Sequence, residues 1–163
     1  MDGSDYFVGG DDGPLVDLGG LGVRFKVRGD QTGGRLAVVE HPVAPGVIVE
    51  PHRHEHEDEM SYVLEGAIWA RVGDHEQEAP AGSYVWKPRR VLHTFWNPGP
   101  EPARLLEVIS PAGFENFFEQ LAVMLQRETP DEEILELCDR YGLEFDRTWL
   151  PDIQARFGPM RMV

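Results

Sequence analysis

Four residues have the types and spacing to do chemistry: His52, His54 and Glu59 share one short stretch, and His93 follows later, between Pro88 and Asn97. Three imidazole nitrogens and one carboxylate oxygen are the usual donors to a borderline divalent transition ion such as iron, nickel, cobalt, manganese or zinc. The chain therefore reads as a metalloprotein whose four donors hold one such ion.

For these side chains to meet, β-strands must carry them. Successive strand side chains point to opposite faces, so His52 and His54 project the same way, roughly 7 Å apart at Cα. A tight connection through Glu55-His56-Glu57-Asp58 brings Glu59 alongside on the next strand, with Ser61 and Val63 sharing its inward parity. His93 must come from a distant strand, where Phe95 shares its direction. The surrounding sequence supplies such strands. Val23, Phe25 and Val27 alternate with Arg24, Lys26 and Arg28, the pattern of a strand with one wet face. Further strand-like runs follow at 36–39, 46–54, 61–64, 67–72, 83–87, 93–97 and 105–109, separated by Gly, Pro, Asp or Asn. Seven or eight short strands predict a mainly β sandwich or barrel.

Beyond residue 110 the period changes. Phe114, Phe117, Phe118, Leu121, Met124 and Leu125 fall on one face of a helix. Thr129 as N-cap, Pro130 as first helical residue and Glu132 as third then open a second helix that ends at Gly142. A short third helix is expected from 151 to 157, closed by Gly158. The chain thus divides into an irregular N-terminal arm (1–20), a β-barrel (21–110) and C-terminal helices (111–163) that pack on the barrel within the same domain. Tyr62 and Leu64 alternate with an equally apolar Val63, so both sheet faces must be covered, by these helices or by a second subunit.

At 163 residues the chain suits one domain with a real core. Thirteen prolines and eighteen glycines favour many short turns. The net charge of −14 repels phosphate backbones and anionic headgroups, which argues against nucleic acid and membrane surfaces and leaves small molecules as ligands. Met1-Asp2-Gly3-Ser4-Asp5 has neither a basic segment nor an apolar run, so a cytoplasmic location is expected. The lone Cys138 cannot close an internal disulfide and reads as buried apolar filler.

Gly46, His52, His54, Glu59 and Gly66, followed by Gly82, Pro88, His93 and Asn97, resemble the two cupin motifs at every one of these positions. With residue frequencies of about 5%, nine coincidences have a chance of ~10⁻¹². The resemblance implies a small cupin jelly roll, a double-stranded β-helix of two sheets. His93-Thr94-Phe95-Trp96 and the run from Phe114 to Phe118 are similar to single-domain bacterial cupins described as quercetin-dioxygenase-like. That likeness implies a metal-dependent dioxygenase acting on an enol or flavonol-like substrate, with dioxygen as co-substrate and Glu59 as the catalytic residue that takes the substrate proton. Two alternatives stay open: a cupin isomerase, epimerase or lyase using the same proton transfer, and a cupin that binds a small molecule or metal without catalysis. The resemblance also implies a homodimer paired through its sheets. One position departs from the family pattern, because Arg90 stands where the second motif usually has glycine. Its charge is read either as a solvated turn residue or as an attractor of anions at the cavity mouth.

Candidate substrate-pocket residues are Phe95, Trp86, Trp69 and Val63. His56, Glu57 and Asp58 read mainly as a solvated loop. His41 and His75 lack ligand-spaced neighbours and read as surface or turn residues. The phenylalanine-rich helix reads as packing more than as a lid.

Overall fold

The computed structural model describes residues 6–163; the first five residues of the expected arm lie outside them. The strands through the barrel are β1 (Leu15–Asp17), β2 (Gly22–Val27), β3 (Ala37–Val43), β4 (Val47–Ile48), β5 (His52–His54), β6 (Asp58–Glu65), β7 (Ala67–Val72), β8 (His75–Pro80), β9 (Tyr84–Lys87), β10 (His93–Asn97) and β11 (Ala103–Ser110), all but β1 and β8 on the expected period-two stretches. Two more strands, β12 (Leu143–Phe145) and β13 (Arg161–Met162), lie in the tail. One sheet runs β1-β2-β3-β11-β6-β9, antiparallel throughout. In the other, β10 pairs with β7 on one side and with β4 and β5 on the other; β8 extends beyond β7, β12 beyond β5, and β13 runs parallel to β4. The two sheets enclose a core of alternating inward residues, among them Val23, Phe25, Val39, Val63, Leu105 and Ile109. The architecture is mainly β, a cupin double-stranded β-helix with C-terminal helices.

Four α-helices lie among the described residues: α1 (Gly29–Thr32), α2 (Glu115–Gln126), α3 (Asp131–Arg140) and α4 (Leu150–Phe157). Pro130 is the N-cap of α3, in extended conformation, and Thr129 makes no capping bond, one residue off the expected placement. α4 settles what covers the second sheet's outer face. Trp96 and Ile48 point outward there and are fully buried against Ile153, with Trp69, Leu150 and Phe157 packed around them. Burying each such side chain stabilises by about 1.5–3 kcal/mol, so the helical tail seals this face without a second subunit. The outer face of the first sheet stays open at its β9 edge, where Tyr84 is 68% and Trp86 57% exposed.

The remaining differences have physical causes. β1 forms inside the expected arm because Leu15–Asp17 pairs with β2. β8 reads His75-Glu-Gln-Glu-Ala-Pro80, without apolar alternation, since it is an edge strand bound only to β7. The expected run 46–54 divides into β4 and β5 around Pro51, which has no N–H for the ladder. No helix among the described residues is long and apolar enough to cross a membrane.

Candidate metal centre

β5 presents His52 and His54 inward with Arg53 exposed between them, as strand alternation requires. β10 pairs antiparallel with β5 so that His93 stands directly opposite His52. Glu59 projects from β6 on the facing sheet. The four donor atoms lie within 4.8 Å of one another. Glu59 Oε1 is 3.4 Å from His54 Nε2, and Glu59 Oε2 is 3.4 Å from His93 Nε2. Bonds of about 2.0–2.1 Å in a tetrahedral shell would set donors about 3.3 Å apart, so the cluster could bind one metal ion.

The hydrogen bonds support that fit. His52 Nδ1 donates to the Glu50 carbonyl at 2.7 Å and His93 Nδ1 donates to the Val91 carbonyl at 2.9 Å. Each bond fixes the proton on Nδ1 and leaves a lone pair on Nε2 aimed at the centre. The Nε2 atoms of His54 and His93 are buried without a hydrogen-bond partner, an arrangement that a metal ion relieves and an apolar core does not. Glu57 is buried behind His54, its Oε2 3.7 Å from Nδ1; it is no solvated loop residue, whereas His56 is exposed and Asp58 pairs with Arg89.

Protonation states suit the same use. Burial pulls His52 well below the ordinary imidazole range, helped by the neighbouring His93 and His54, and burial lowers His54 to about 4. Burial pushes the Glu59 carboxyl upward, but Lys87, His54 and His93 outweigh it and hold Glu59 well below the usual carboxylate range. Neutral imidazoles beside an ionised carboxylate are what a divalent ion requires.

Behind Glu59 lies a second polar group. Lys87 Nζ is 3.1 Å from Glu59 Oε2 and 2.8 Å from Glu107 Oε2, and Ser61 Oγ donates to Glu107 Oε2 at 2.7 Å. All are buried. Burial would lower Lys87, yet Glu107 and Glu59 outweigh it and keep the ammonium charged. Burial raises Glu107 to about 7, against the pull of Lys87.

The cluster opens into a cavity of about 90 Å³ whose other walls are mainly apolar, with Phe95, Phe114, Phe117, Phe118, Leu121 and Leu143 among them, beside the polar His41, Lys87 and Glu107. The Phe114 ring stands edge-on to His54 at 4.3 Å.

Residues 40–109, which include all four donors, match the family described as Cupin domain. The fold of this stretch is the cupin double-stranded β-helix. A curated relative, the tetracenomycin polyketide synthase protein TcmJ of Streptomyces glaucescens, is 34% identical over 80 residues, covering 49% of this chain and 52% of TcmJ. The chain thus matches about half the length of that relative. The polyketide cyclase RemF from Streptomyces resistomycificus superposes with a TM-score of 0.57 at 25% identity, covering 64% of this chain and 78% of RemF. KdgF from Halomonas sp. superposes at 0.60 with 20% identity, covering 68% of this chain and 98% of KdgF, a likeness of fold alone.

Within the cupin cavity, Phe95 lines the wall beside the cluster, but the other three pocket candidates do not. Strand parity turns Trp86 outward while Lys87 points in. Trp69 packs outside the sheet against Trp96 and Phe157. Val63 is inward and fully buried, in the core away from the cavity surface. His41, read from sequence as a surface residue, is 3% exposed and lines the cavity. His75 is exposed. Arg90 takes the left-handed conformation, at φ 66°, where the family has glycine, and its guanidinium pairs with Glu55 on the surface. Sequence reasoning missed Lys87, Glu107, Phe114, Phe117 and Phe118 as cavity residues. Glu107 carried a signal: a lone charge at inward parity within Leu105-Leu106-Glu107-Val108-Ile109 is out of place unless paired.

Proposed function

We propose that this protein is a metal-dependent enzyme that enolises a poly-β-ketone substrate and steers its ring closure. The observation that carries this reading is the union, in one aromatic-walled cavity, of the three-His, one-Glu cluster with the buried Lys87–Glu107 pair. Similarity to TcmJ and RemF supports the substrate class. A divalent ion held by His52, His54, Glu59 and His93 would polarise carbonyl oxygens and stabilise enolate charge. Glu59 is the proton acceptor: its carboxylate takes the proton from a carbon between two carbonyls while the C–H electron pair passes into the enolate. The Lys87 ammonium holds Glu59 Oε2 in place. The phenylalanine walls exclude water from the reactive carbanion equivalent.

Shape supports an elongated substrate. A largely apolar groove of about 560 Å³, with Glu50, Asp131 and Arg147 in its lining, shares Leu18, Phe117, Leu121, Phe145 and Val163 with the small inner cavity. The reacting end fits inside and the body lies in the groove. A dioxygenase acting on an enol or flavonol-like substrate is the second reading, favoured by the same donor set and the same dry cavity. An isomerase or lyase would use Glu59 in the same way without oxygen.

The test pairs elemental analysis with turnover. Protein purified without added metal is expected to carry about one divalent ion per chain, lost in His52→Ala. Under strict anaerobiosis a linear aryl β-triketone should cyclise, and Glu59→Gln should abolish the reaction. Stoichiometric oxygen uptake with quercetin, and no anaerobic turnover, would replace the cyclase reading with the dioxygenase.

A further inference from the structure

One polar side chain in the cavity has no part in the metal cluster or in the Lys87–Glu107 pair. His41 lies on the inner face of β3, two pairs along the ladder from Glu107: Val39 faces Glu107 and His41 faces Leu105. Its Nδ1 donates to the Gly22 carbonyl at 2.9 Å, so the proton sits on Nδ1 and Nε2 is a bare acceptor. No described residue hydrogen-bonds that Nε2. The ring stands edge-on to Phe118 at 5.6 Å and lies 6.4 Å from Phe95. Burial lowers His41 to about 4, which keeps it neutral and unable to donate from Nε2 at ordinary pH.

We propose that His41 is a specificity-determining residue whose Nε2 accepts a hydrogen bond from a hydroxyl on an aromatic or enolic ligand in this cavity. The wall around it is aromatic and aliphatic, so a ring packs there on apolar contact while a single acceptor orients it. A ligand presenting a hydroxyl satisfies Nε2. One presenting an ether or carbonyl oxygen sets acceptor against acceptor and leaves Nε2 unpaired. The role fits a substrate that passes between enol and phenol forms, and it rests on the cavity being the substrate site.

The test uses phenol and anisole as probes on metal-loaded protein, followed by titration calorimetry. Wild type is expected to bind phenol about tenfold more tightly than anisole, about 1.4 kcal/mol. His41→Phe should bind the two equally, and His41→Gln, whose amide oxygen can accept, should restore part of the preference. In the wild type, phenol but not anisole should shift the His41 Nε2 nitrogen resonance, a readout independent of how the variants fold. A phenol preference that survives in His41→Phe, or a resonance unmoved by phenol, overturns the assignment. Binding of both probes without preference rejects His41 alone, whereas binding of neither rejects the cavity as the substrate site and His41 with it.

Discussion

Lys87→Met probes the charge balance beneath the candidate metal centre. The ammonium is 3% exposed, 2.8 Å from Glu107 Oε2 and 3.1 Å from Glu59 Oε2. Met keeps the length and apolar stem of lysine but removes the one cation that serves two buried carboxylates. Removing one partner of a buried pair typically costs about 3–5 kcal/mol. For 163 residues, an unfolding entropy of about 2.1 cal/mol/K per residue converts that into a fall in Tm of about 9–15 °C. The loss should depend on pH. Burial already holds Glu107 near 7, above its unfolded value of 4.5, and without Lys87 it rises further. A group raised in the folded state favours folding at low pH and opposes it as pH rises, so the variant should be hurt more at pH about 8 than at about 6. Lys87→Met with Glu107→Leu replaces the pair by apolar groups of similar size and should return to within about 1 kcal/mol of wild type. Thermal unfolding by circular dichroism, with every sample saturated with the same metal, measures this. The reasoning fails if the single variant loses less than about 3 °C at the higher pH, or if the double variant is as unstable as the single.

Two further outcomes follow from the structure. His41 is held at about 4 against an unfolded value of 6.5, so as pH falls through that window the unfolded chain takes up a proton that the folded one refuses; up to about 3 kcal/mol of stability is lost there, and a denaturant series across pH should show the loss in wild type but not in His41→Phe. A homodimer, the sequence's expectation, would use the outward face of the β6–β9 edge, where Met60 faces Trp86 and Tyr62 faces Tyr84; sedimentation should give two chains for wild type and one for Trp86→Glu, and a monomeric wild type at micromolar concentration ends the idea.

What sequence alone determined was the part governed by local rules. Period-two alternation fixes which strand residues share a face, so His52 with His54 and His93 with Phe95 followed from parity, and nine spaced positions marked the cupin barrel. The helix of Phe114, Phe117 and Phe118 was legible from its spacing, but its place as a wall of the cavity was not. What only tertiary structure decided depends on which strands become neighbours. Lys87, Ser61 and Glu107 stand on β9, β6 and β11, and only the antiparallel registers Glu59 to Lys87 and Ser61 to Glu107 turn them into one buried network. His41 had no ligand-spaced partner along the chain, and β3 carried it into the cavity by pairing with β11. Trp86 and Trp69 looked like pocket residues by composition, yet each sits at outward parity, and whether an outward aromatic is covered depends on a helix far along the chain: α4 seals Trp69 and leaves Trp86 in solvent. Spacing along the chain specifies direction within a strand, while contact between strands is set by closure of the barrel, which no local pattern encodes.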